Sequence, residues 1–221
     1  MSTRRIFIGA TAAGAAAAAA TRGASAAGSG TILDEAAFRR RIATGARHKQ
    51  MIGAARVNDG AVLQYAVNTL NGFTNGWNEP PSQVQIVLVL FGSAAAIGLD
   101  DAMWREHRLQ EIVRRYSADF LTADAAQTNI WARPDAARQP NADKSLPSLL
   151  RRGVRIFVCN TALGELSNRI VADVTAPGMD AFAVQAALRT HVVPGLDIVP
   201  AGISAVSVLQ QSGYTFFTAA L

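Results

Sequence analysis

Val84-Gln85-Ile86-Val87-Leu88-Val89-Leu90-Phe91 decides the fold, because its last six residues form an unbroken apolar run with no polar alternation. A strand with one wet face alternates; a strand covered on both faces does not. Gly92-Ser93 ends the run. A second buried strand is read at Val154 to Cys159, apolar from Ile156 onward, after Gly153 and before a helical pattern. Two doubly covered strands require a sheet with helices on both faces.

The rest of the chain supplies the other elements. Met51 to Ala55 reads as a strand, and Asp59 as the cap of a helix whose apolar face is Leu63, Ala66, Val67 and Leu70. Asp100 or Asp101 opens a helix through Trp104, Leu109, Ile112, Val113 and Tyr116, and Ser145 to Arg152 makes a short one. Helical stretches at 165–174 and 180–192 lead to a strand at Leu196–Val199. A helix at Ser204–Ser212, Gly213 and a strand at Tyr214–Thr218 complete the pattern. Strands alternating with helices predict an α/β fold: a three-layer sandwich around a five-stranded, mainly parallel sheet. The polar stretch 119–144, which includes Trp131, reads as a surface insertion over the site or beside a subunit contact, rather than core.

The N-terminus carries an address. Arg4-Arg5 before Ile6-Phe7, an alanine-rich stretch to Ala20, and Ala24-Ser25-Ala26 form a twin-arginine export signal over residues 1–26. Poly-alanine partitions poorly into lipid, so this segment is read as a removable signal and no membrane span is expected after its removal. Residues 27–47 form a tether and a short helix (Asp34 to Ile42), and 48–221 the α/β domain. Localisation is then periplasmic or otherwise exported, with the twin-arginine machinery as a partner. The formal charge of +5 includes Arg4, Arg5 and Arg22; without them it falls to about +2. Arg39, Arg40, Arg41, Arg47 and Lys49 read as a solvated face, since no aromatics interleave in sequence, and nucleic acid is not expected as a partner.

Ligands of such sheets bind at the carboxyl ends of the strands. Here those ends are Asn58-Asp59, Gly92-Ser93, Cys159-Asn160-Thr161 and Gly202, which places the single cysteine on that edge. Amide N–H groups at a strand-to-helix turn favour an anion, so a thiol there suits a nucleophile or sulfur acceptor; a small apolar residue closing a buried strand is the competing reading. His48, His107 and His191 show no metal spacing with one another or with the cysteine, so no metal is expected. No Gly-x-Gly-x-x-Gly follows a strand and Ser93 has no Gly-x-Ser-x-Gly context, so neither a dinucleotide cofactor nor a hydrolase elbow is expected.

Gly153 to Leu163 (GVRIFVCNTAL) resembles the central strand and cysteine of DsrE/DsrF-like proteins, as do Val193-Pro194-Gly195, Ile198 to Gly202, Leu209-Gln210 and Gly213-Tyr214. Asp59-Gly60 and the strand ending in Phe91-Gly92 extend the resemblance toward residue 48. The resemblance implies a five-stranded DsrE/F-like sandwich and a homo-oligomer, trimer or hexamer. It also implies that Cys159 takes a persulfide from a sulfur donor protein and passes it to an acceptor. Asn58, Asp59, Gly92, Ser93, Asn160, Thr161 and Gly202 would line the pocket. Relay members often follow the cysteine with Arg-Gly, where this chain has Leu163-Gly164-Glu165. A non-catalytic oligomeric binding module that keeps the fold is therefore the second reading, and whether the protein is an enzyme stays open. Trp104, Ile112, Phe182 and Val184 are the side chains that an oligomer would cover.

Overall fold

The computed structural model describes residues 30–117, 121, 128–133, 143–173 and 178–219. The segment 1–26, expected to be an export signal, lies outside these residues, as does most of 119–144. Five strands form one sheet: β1 (His48–Ala54), β2 (Val84–Leu90), β3 (Arg155–Cys159), β4 (Asp197–Val199) and β5 (Thr215–Thr218). Their order is β4-β3-β2-β1-β5, and every neighbouring pair is parallel. The unbroken apolar run thus forms the central strand, where all seven of its residues are buried.

Side-chain alternation sorts the core into two layers. Ile52, Ala54, Leu88, Leu90, Ile156, Val158 and Ile198 face the larger one. It is closed by α2 (Ala61–Asn71), α3 (Asp101–Glu106), α4 (Leu109–Ser117), α5 (Leu146–Arg151), α6 (Asn160–Ala172) and α7 (Ala181–Thr190). Met51, Val87, Val89, Phe157 and Val199 face the other, covered by α1 (Glu35–Ile42) and α8 (Gly202–Gln211). Helix α1 is built into this layer. Phe38 meets Phe157 edge-on at 4.8 Å, and the Tyr214 hydroxyl donates to the Ile42 carbonyl at 2.7 Å.

The chain steps from β1 through β4 in one direction, then crosses to the far side of β1 for β5. Right-handed crossovers put helices of opposite steps on opposite faces. Consequently the connection leaving β3 runs over one face and that leaving β4 over the other. Strand order itself reverses between β1 and β5, whereas the adjacent carboxyl ends of β3 and β4 send their connections toward each other over opposite faces.

Four expectations change. The helix opened at Asp100 is two helices, because Arg108 takes φ 47° and breaks the ladder between α3 and α4. Asp59 does not cap α2; it sits at φ 51° in a tight turn, and Gly60 holds the cap position. Trp131 is core, only 1% exposed. It meets Trp104 edge-on at 5.9 Å and lies against Gly60, where an added Cβ would fall 2.7 Å from Cε2 of the indole. The buried Asn129 anchors this segment by donating from its amide to the carbonyls of Ile97 and Leu99. Of the four side chains expected at an oligomer contact, Trp104, Ile112 and Val184 are buried within the chain, and only Phe182 is exposed.

His107 is also buried. Desolvation pulls its pKa below the ordinary 6.5, the Glu106 carboxylate opposes this, and His191 adds to it. The unfolded chain therefore binds the proton more readily than the folded one, and stability rises with pH until His107 is neutral in both states. The melting temperature should fall as pH drops below about 6.5. His107→Gln should flatten that part of the profile; an unchanged slope would show that acid stability is set elsewhere.

Candidate functional site at the ends of β3 and β4

Cys159 ends β3 and serves as the N-cap of α6, its sulfur accepting from the Ala162 N–H at 3.3 Å. A second N–H reaches the same sulfur, that of Gly202, at 3.1 Å. Gly202 is the first residue of α8, which runs on the opposite face of the sheet from α6. Two helix N-termini from two layers thus converge on one sulfur, and both point N–H dipoles at it. Such an arrangement accommodates negative charge on the group it surrounds. The residue is 5% exposed.

The neighbouring residues explain this convergence. An added Cβ at Gly202 would lie 2.9 Å from Cβ of Phe91, so glycine lets the start of α8 close over the end of β2 and reach the sulfur. The N–H and hydroxyl of Thr161 both donate to the Pro200 carbonyl, at 3.2 and 3.1 Å, stitching the start of α6 to the end of β4. Gln185 of α7 donates to the main-chain and side-chain oxygens of Asn160, at 3.0 and 3.2 Å. Gly164 permits that approach, since an added Cβ would sit 3.1 Å from the Gln185 amide.

Of the residues expected to line a pocket, Asn160, Thr161 and Gly202 surround Cys159 directly. Gly92 and Ser93 lie one strand over and pack on the end of β1: Gly92 at φ 52° approaches the Ala55 carbonyl, to which the Ser93 hydroxyl donates at 3.3 Å. Asn58 and Asp59 occupy consecutive left-handed positions at the tip of β1, beyond β2, and Lys144 donates to the Asp59 carbonyl at 3.0 Å. They belong to the same edge but are tied to the Trp131 segment rather than to the cysteine. Phe91, Gln185 and Pro200 were not anticipated. Only Gly164, a glycine within a helical pattern, hinted at the close approach that Gln185 makes.

No histidine joins the sulfur. His48 starts β1, on the opposite edge of the parallel sheet. His191 caps α7 ahead of β4 with Nδ1 2.8 Å from Asp100 Oδ2, and His107 belongs to the same neighbourhood. Among the described residues, no three His, Cys, Asp or Glu side chains gather as a metal site would need, and no helix is long and apolar enough to cross a membrane.

No family model matches the chain, and comparison with curated proteins finds no match. The fold and the site define its class directly: an all-parallel five-stranded α/β protein whose one cysteine is held by two helix N-termini at the carboxyl ends of β3 and β4.

Proposed function

We propose that the mature chain is an exported DsrE-like sulfur-handling protein that carries a persulfide on Cys159. The observation that supports this reading best is the pair of N–H donors, from Ala162 and Gly202, aimed at one sulfur. In the loading step the Cys159 thiolate attacks the outer sulfur of a donor persulfide, R–S–SH. The new S–S bond forms at Cys159, the donor S–S bond breaks, and R–S⁻ leaves with the electron pair. Atoms and electrons balance without an outside oxidant, as in thiol–disulfide exchange. The same two N–H groups would then face the inner sulfur, which becomes the leaving thiolate when an acceptor removes the outer one.

Export through the twin-arginine route would place this chemistry beyond the cytoplasmic membrane. A homo-oligomer, trimer or hexamer, would cover the exposed Phe182, Ile203, Phe216 and Phe217. A native mass of one chain would count against that part.

One observation favours the second reading, a non-catalytic oligomeric binding module: Cys159 is buried and already employed as a helix cap. Cyanolysis separates the two. After incubation with a low-molecular-weight persulfide and desalting, cyanide should release about one thiocyanate per chain from the wild type and none from Cys159→Ser. Equal release from both proteins, or none from either, leaves the binding-module reading.

A further inference from the structure

The opposite edge of the sheet carries a second site with a different chemistry. At the amino ends of β1 and β5 lies a cavity of about 530 Å³, floored by His48, Lys49 and Thr215 and walled by Arg47, Phe73 and Trp77. That volume lies within the range of sites that take small ligands, roughly 300–1,000 Å³. The aromatic wall hangs from a π-helical turn, Gly72–Gly76, that prolongs α2; such turns recur at functional sites. Phe73 packs on the His48 ring with centroids 4.5 Å apart and meets Trp77 edge-on at 5.1 Å. Trp77 is 72% exposed, whereas Trp104 and Trp131 are buried. The residue after it, Asn78, is held at φ 56°, an uncommon conformation for a residue with a side chain.

Two cations and one carboxylate set the charge. Lys49 donates to the Ser212 carbonyl at 2.9 Å and lies 5.8 Å from the centre of the Tyr214 ring, which fixes its ammonium beside the cavity. Arg47 reaches Glu79 at only 3.4 Å, an exposed pair of the kind that contributes little and can open. His48 Nε2 lies 3.1 Å from the same carboxylate without the alignment of a hydrogen bond. The balance stays positive beside an open aromatic shelf. The linear sequence separates these cations from the aromatics, and the fold brings them together.

From this geometry we infer that the cavity binds a planar ring bearing one anionic group, an aromatic carboxylate or a nucleoside monophosphate. The ring lies on the Phe73–Trp77 shelf and the anion between Arg47 and Lys49. This site is independent of Cys159, which sits on the other edge of the sheet.

Trp77 provides the readout, because acrylamide quenches an exposed indole far more than the two buried ones. Folded full chain is titrated with benzoate, AMP, benzamide (ring without charge) and inorganic phosphate (charge without ring). Benzoate or AMP should shield Trp77 saturably with a midpoint below about 1 mM, and the tighter of the two names the source of the ring. Benzamide and phosphate should bind at least about tenfold more weakly, and Arg47→Gln should raise the midpoint about tenfold with an unchanged melting temperature. Absence of saturable shielding up to about 10 mM, or equal binding by Arg47→Gln, would overturn the proposal. Binding of a single-stranded oligonucleotide about tenfold tighter than AMP would also overturn it, in favour of a nucleic-acid groove.

Discussion

Trp131→Ala should destabilise the fold by about 3–5 kcal/mol, the usual cost of removing a fully buried aromatic side chain. The indole fills space between the Trp104 ring and the backbone of Gly60. Gly60 is itself held at φ 70°, so the turn has little room to collapse into the void. Chemical denaturation of folded wild type and variant, read as a shift in midpoint at constant slope, measures the loss. Trp77→Ala is the internal comparison: that ring is mostly exposed, and its removal should change stability by no more than about 0.5–1 kcal/mol. Equal small shifts in both variants would mean that the 128–133 segment is not packed as described.

Gly92→Ala should cost about 2–4 kcal/mol, from two causes that act together. Gly92 sits at φ 52°, in the left-handed region that a side chain disfavours, and an added Cβ would lie 2.5 Å from the Ala55 carbonyl oxygen. That oxygen is main chain at the end of β1, so it cannot swing aside as a flexible side chain could. Relief requires the ends of β1 and β2 to separate, which also moves Phe91 away from Gly202. Gly45→Ala is the control, since nothing lies within 4 Å of its added Cβ. Thermal melts of the two variants should differ by several degrees, and coincident curves would contradict the geometry at the strand tips.

The central strands were legible because burial on both faces leaves a mark that local sequence carries: the residues of β2 and Ile156 to Cys159 of β3 are buried without alternation. All five strands lie where their runs predict, within a residue or three at the ends. Helix breaks were less legible. Nothing in the composition of Glu106-His107-Arg108 separates a continuous helix from two helices, because the break rests on one residue adopting a left-handed conformation. Trp131 was misread for a related reason. Beyond Ile130 and Ala132 the surrounding stretch reads as polar and without period, and what buries the ring, Trp104 and Gly60, is remote in the chain. The basic run from Arg39 to Lys49 behaves as periodicity suggests on α1, where Arg39 pairs with Glu35 and Arg41 with Asp197. Its last members, Arg47 and Lys49, meet Phe73 and Trp77 only through the fold.

The candidate site shows the same division. Local sequence placed Cys159 at a strand tip that opens a helix, and the first N–H donor, Ala162, follows from that placement alone. The second donor, Gly202, comes from 43 residues away and depends on β4 lying beside β3. Strand order therefore turns a helix-capping cysteine into one held from both faces of the sheet. A sequence without its topology does not contain that fact.

The most direct test of the proposed role is the intact mass of the folded protein, prepared without residues 1–26, after exposure to a low-molecular-weight persulfide, beside a known sulfur-relay protein as control. A gain of about 32 Da on the wild type, mapped to the peptide that contains Cys159 and absent from Cys159→Ser, is the predicted result. A control that gains the adduct while Cys159 stays unmodified in the same mixture would contradict sulfur carriage.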